Sequence, residues 1–130
     1  MPVSFFAERL SKSNDDYFTL GAFLDGKLVG SAGFSRSTRL KETHKGLIWA
    51  VYVKAEARGH GIGRALLNEV LRRARTRPGL LQIALAVATH RAPARDLYLS
   101  LGFRVFGHEE RALKVGNTFI DEDHMMLRLD

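Results

Sequence analysis

The chain has 130 residues, 45% of them hydrophobic, and a net charge of +6. That length suits one domain, spanning 1–130, and buries roughly two thirds of the surface exposed on unfolding. The absence of cysteine excludes disulfides, thiol nucleophiles and cysteine–zinc sites, and no metal site is expected.

Residues 3–11 read as a short helix with Val3, Phe6 and Leu10 on one face, and 13–16 as a loop. Residues 17–24 and 28–34 read as strands joined by Asp25-Gly26, a dipeptide suited to a tight hairpin turn. A polar connector follows over 36–45. Residues 47–53 are apolar on both faces, as in a central buried strand. In 62–75, Ile62, Leu66, Val70 and Ala74 recur at spacing four, with Leu67 and Leu71 beside them, which predicts an amphipathic helix. Pro78-Gly79 ends it. Leu81, Ile83, Leu85 and Val87 then alternate as a strand. Strand, crossover helix and strand predict a parallel pair. Pro93 suits the first turn of a second helix, and Gly102 a left-handed cap at its end. A further strand begins at 103–106, and 125–129 reads as the last one.

The start of the first long helix breaks local rules. Arg58-Gly59-His60-Gly61-Ile62-Gly63-Arg64 offers no Ser, Thr, Asp or Asn to cap the helix, and no acid stands between Ala57 and Leu67. Residues 54–77 carry seven cations against two acids, which leaves 20 − 7 = 13 cations against 14 − 2 = 12 acids elsewhere. Arg72, Arg73, Arg75 and Arg77 lie where a helix end favours cations; Arg58 and Arg64 do not. A bound anion resolves the conflict by accepting bare N–H groups, neutralising arginines and needing glycine for close approach. The third glycine comes one residue early for a dinucleotide fingerprint, and no Gly-Lys-Ser/Thr of a triphosphate loop is present.

Strand, Arg-x-x-Gly-x-Gly and amphipathic helix resemble the pyrophosphate loop of the GNAT superfamily of acyl-CoA N-acyltransferases. Ala94-Arg95-Asp96-Leu97-Tyr98-Leu99-Ser100-Leu101-Gly102-Phe103 is similar to that family's Ala-x-x-Leu-Tyr-x-x-x-Gly-Phe segment, at the family's separation from the loop. The resemblance implies an α/β (α+β) fold with a mixed central sheet and a parallel pair joined by a crossover helix. It implies transfer of the acetyl group of acetyl-CoA to a primary amine of a small molecule or peptide. Arg58, Gly59, His60, Gly61, Ile62, Gly63 and Arg64 would hold pyrophosphate, and the main chain of Val51, Tyr52 and Val53 the pantetheine arm. Tyr98 would face the sulfur. Where the family often has Asn, this chain has Arg91, which would meet a CoA phosphate or an acidic acceptor instead; that departure also suits a CoA-binding regulatory module with impaired turnover.

Candidates for a base are Glu42, His44, Glu109, Glu110, Asp121 and Glu122. The family's usual first strand and helix are missing, so the edge of strand 17–24 is expected to be exposed unless a partner subunit covers it in a homodimer. A start without a basic segment, and apolar runs of only about seven residues, predict a cytoplasmic protein without a membrane partner. Cations gathered on one loop and helix, without interleaved aromatics, predict no nucleic-acid partner.

Overall fold

The computed structural model describes the backbone of residues 3–8 and all atoms of residues 14–130. The chain divides into two units, Met1–Leu80 and Leu81–Asp130.

In the first unit four antiparallel strands run in sequence order: β1 (Val3–Glu8), β2 (Tyr17–Leu24), β3 (Lys27–Arg36) and β4 (Lys45–Val53). The β2–β3 turn places Asp25 and Gly26 at φ 52° and 78°, as the dipeptide predicts. Helix α1 (Ile62–Arg75) covers one face of the sheet with Ile62, Leu66, Leu67, Val70, Leu71 and Ala74. Against it lie Phe18, Leu20, Ala22, Val29, Ala32, Phe34 and Ile48, all buried. Each large side chain buried there contributes ~1.5–3 kcal/mol, which fixes where α1 begins relative to β4.

The first segment corrects the sequence reading. Residues 3–8 form a strand, paired from Val3↔Leu24 to Glu8↔Thr19, instead of a helix, and 9–13 lie outside the described residues. A run of Val, Ser and Phe fits either period over so few residues; the open edge of β2 decides for the strand by satisfying backbone groups that a short helix would leave to water. That edge is therefore occupied by β1, and the reason to expect a partner subunit there is gone.

The second unit consists of β5 (Gln82–Ala88), helix α2 (Ala92–Ser100), β6 (Arg104–Val115) and β7 (Thr118–Arg128), with β7 antiparallel to both β5 and β6. Its core holds Ile83, Leu85, Val87, Tyr98, Phe103, Met125 and Leu127. Strand β6 begins within 103–106 as the pattern predicts and runs on to Val115, whereas β7 starts at Thr118, well before the 125–129 read from the pattern. Strand β6 buries no side chain, so it shows none of the alternation on which strand recognition depends. No helix among the described residues is long and apolar enough to cross a membrane.

Candidate functional site

Between β4 and α1 the chain makes one 3-10 turn, Ala55–Ala57, then an extended Arg58 and two left-handed glycines, Gly59 at φ 84° and Gly61 at φ 75°. Gly61 is the N-cap of α1; no side chain caps the helix, and its first turn holds no acid. A Cβ built on Gly59 or Gly61 meets nothing within 4 Å. Glycine is thus required by backbone angle while the space beside it stays open, the condition for close approach by an anion. Arg58, Gly59, His60, Gly61 and Arg64 are exposed, whereas Gly63 is half-buried. Ile62 is only 2% exposed, so it offers the loop its backbone alone. The Arg58 Nε–H donates to the Val53 carbonyl at 3.1 Å, which pins the loop to the end of β4.

Strand β4 is bulged. Ser31 pairs with Tyr52 and Gly33 with Trp49, so Ala50 and Val51 together oppose Ala32. Ala50 takes φ 51°, a left-handed angle that costs a non-glycine residue ~1–2 kcal/mol. The strand is not buried on both faces as expected: Leu47 is 46% and Tyr52 54% exposed, with Val51 and Val53 half-buried. The bulge turns the strand's last residues and re-aims their N–H groups. No glycine in 47–53 advertises it.

One feature escaped the sequence reading. The Trp49 ring lies flat on Gly33, where an added Cβ would come within 2.3 Å of it. Its indole N–H donates to Ser35 Oγ at 3.2 Å, and the Tyr17 ring stands 5.6 Å away. A glycine directly across from a tryptophan was the available signal.

Tyr98 lies on α2. That helix ends in a Schellman motif: the Phe103 N–H donates to the Tyr98 carbonyl and the Gly102 N–H to the Leu99 carbonyl, both at 3.0 Å, with Gly102 at φ 102°. The matching apolar contact is the Tyr98–Phe103 ring pair, centroids 6.0 Å apart. Tyr98 is 6% exposed. Burial pushes its phenol above the ordinary range, and the nearby positive charge of Arg91 opposes that. Arg91 is itself exposed, at the N-cap of α2.

Several of the candidate bases are already engaged. Glu42 is held by Lys45 at 3.5 Å and Arg39 at 3.6 Å; His44 is half-buried. Glu109 accepts from His124 at 2.9 Å. Asp121 accepts the Arg111 N–H at 2.9 Å. Glu110 is exposed, and Glu122 is half-buried opposite Glu109. Asp123, which is not among the candidate bases, is a buried carboxylate on β7 between His108 and Arg95.

A capless helix start with left-handed glycines follows a bulged strand in this α/β chain. The chain matches the acetyltransferase (GNAT) family over residues 2–103, and it belongs to that family. It is 36% identical over 121 residues to the N-alpha-acetyltransferase RimI of Mycobacterium tuberculosis, covering 90% of this chain and 70% of that one. It is 30% identical over 106 residues to an L-methionine sulfoximine/L-methionine sulfone acetyltransferase of Pseudomonas aeruginosa, covering 81% of this chain. The match spans only 60% of that relative's length. A putative acetyltransferase from Salmonella typhimurium, solved with its cofactor acetyl-CoA, superposes with a TM-score of 0.79 at 26% identity, over 89% of this chain and 66% of that one. The mixed α/β fold is therefore the family's.

Proposed function

We propose that this protein is an N-acetyltransferase that moves the acetyl group of acetyl-CoA to a primary amine. The observation that carries the reading is the loop 58–61, whose left-handed glycines leave the start of α1 open and uncapped. Coenzyme A brings a diphosphate to such a loop and an acyl thioester to the reaction. The backbone N–H groups of the helix start take the diphosphate, with Arg58 and Arg64 supplying charge. The main chain of Val51, Tyr52 and Val53 pairs with the pantetheine arm as an added strand would, and an N–H re-aimed by the bulge receives the thioester oxygen as negative charge grows on it.

Tyr98 donates a hydrogen bond to the departing sulfur. Full transfer of its proton is uphill: a phenol near 10 against a thiol near 8.5 costs ~2 kcal/mol, and burial widens the gap. A shared hydrogen bond avoids that cost.

The two named relatives act on amino-acid and N-terminal amines, and the acceptor proposed here is likewise an α-amine. The chemistry favours it. An alkylammonium near 10.4 needs ~4.6 kcal/mol to reach its free-base form at pH 7, whereas a peptide α-amine near 8 needs only ~1.4 kcal/mol. Such an acceptor makes little demand on a protein base, in keeping with Glu42, Glu109 and Asp121 being already bonded.

The test is thiol release from acetyl-CoA with peptide and amino-acid acceptors, beside calorimetric titration of coenzyme A. Binding and turnover are expected, with Tyr98→Phe lowering kcat at least tenfold and leaving CoA affinity within twofold. No heat on titration, or Tyr98→Phe turning over like the parent, overturns the reading; binding without turnover on any amine makes the protein a CoA-binding module.

A further inference from the structure

We propose that Asp123 is a positioning residue for acetyl transfer: through Arg95 it holds α2, and with it Tyr98, against β7, and a protonated His108 holds Asp123 in turn. The inference rests on Tyr98 serving the departing sulfur.

Asp123 lies on the β7 face that also buries Met125 and Leu127. A carboxylate in such a place needs a partner for each oxygen, and it has them. The Arg95 Nε–H donates to Oδ2 at 3.1 Å, and the His108 Nδ1 meets Oδ1 at 3.0 Å. Arg95 precedes Tyr98 by three residues, one helical turn, so the pair ties α2 to the sheet beside the tyrosine. The Schellman end fixes the same turn from the other side.

The geometry also favours the charged form of His108. Its second nitrogen, Nε2, lies 3.3 Å from Asp121 Oδ2. A neutral imidazole has one N–H, so with a carboxylate oxygen at both nitrogens one contact would set lone pair against lone pair. Only the imidazolium satisfies both. The other oxygen of Asp121 accepts the N–H of Arg111, which sits at φ 54° in a bulge of β6 between Glu109 and Leu113. The charged groups facing His108 are thus Asp121 and Asp123 from β7 and, through Asp123, Arg95 from α2. Of its own strand, Glu109 is turned to His124 and Glu110 is exposed. Two cations meet two anions in this cluster, and loss of the imidazolium proton leaves it with an excess negative charge.

The shifts agree. The hydrogen bond to Asp123, then the charges of both aspartates, raise His108 above its ordinary range. The His108 bond, then Arg95, hold Asp123 below the usual carboxylate range. A raised imidazole contributes its full stabilisation below the ordinary histidine value and loses it as pH rises through the folded one; a depressed carboxylate loses its contribution as pH falls through the folded value. The brace is complete between those limits and opens on the alkaline side. An amine acceptor gains nucleophile as pH rises, so an alkaline fall in kcat is not the acceptor's signature.

The experiment follows the His108 ring by NMR against pH, assigned by its loss in His108→Gln, beside pH profiles of kcat and KM. In the parent, His108 is expected to titrate above 6.5 and kcat to fall on the alkaline side through the same midpoint. Asp123→Asn should return the titration toward the ordinary value, lower kcat several-fold at unchanged KM for acetyl-CoA, and abolish the alkaline fall. Should circular dichroism find Asp123→Asn unfolded, His108→Gln carries the same kinetic readout. Titration at or below 6.5 in the parent, or a variant keeping the parent's kcat and alkaline limb, overturns the proposal. Failure of the Tyr98 reading registers separately, as unchanged turnover in Tyr98→Phe with the His108 titration intact.

Discussion

Ala50 occupies an angle that glycine adopts freely and alanine does not. The strain of ~1–2 kcal/mol persists because β3 pairs with β4 on both sides of the bulge and Ile48 is anchored under α1. Ala50→Gly relieves that strain but gives the unfolded chain extra freedom worth ~0.4–1 kcal/mol. The expected outcome is a folded variant more stable by up to about 1 kcal/mol in urea, with kcat unchanged. Ala50→Val puts a β-branched side chain at a positive φ, where it is a true outlier. It should lose about 2 kcal/mol or straighten the strand; in the second case kcat falls while the urea midpoint holds. Equal stability and equal turnover in all three proteins would show that the bulge has no part in turnover.

At the scale of elements, the helix ends on which the proposed function rests are also the parts best written into the sequence. Ile62, Leu66, Val70 and Ala74 predict α1 because each points to one side every turn, and the helix begins and ends where the pattern does. The Tyr98–Gly102–Phe103 spacing predicts the close of α2 because only glycine suits the left-handed residue between them. Gly102→Ala adds strain there and brings a Cβ to 3.1 Å from Leu127 Cδ1. It should cost about 1–2 kcal/mol, read as a lower urea midpoint at an unchanged slope, and lower kcat through Tyr98 more than it raises KM for acetyl-CoA. A midpoint equal to the parent's would show that the motif does not hold the helix end. Other elements left no such mark. Strand β6 buries no side chain, β1 carries a pattern that fits two periods, and the brace joins Arg95, His108 and Asp123 across three elements that no local spacing connects.

For the molecule as a whole, charge is the property that ties composition to function. The excess of five cations in 54–77, seven against two, compares with one over the rest of the chain, and it surrounds a loop whose glycines leave an anion room. Part of it is neutralised locally, since Glu69 pairs with Arg72 and Arg73, and Arg77 with Asp15 and Asp16. Arg58 is exposed apart from its bond to Val53. Binding of a diphosphate at this end of α1 must therefore weaken with salt, because the exposed part of the attraction is screened within about 10 Å at 0.1 M. On the proposed function, acetyl-CoA at a hundred times its dissociation constant would stabilise the folded chain by ~2.7 kcal/mol, which for this length would raise Tm by on the order of 10 °C. Raising salt from 0.05 to 0.5 M should shrink that gain, as should Arg58→Gln and Arg64→Gln at low salt, each gain being measured from the variant's own unliganded Tm. A gain indifferent to salt and to both substitutions would mean that the acyl and pantetheine groups hold the donor, and that the start of α1 does not bind its diphosphate.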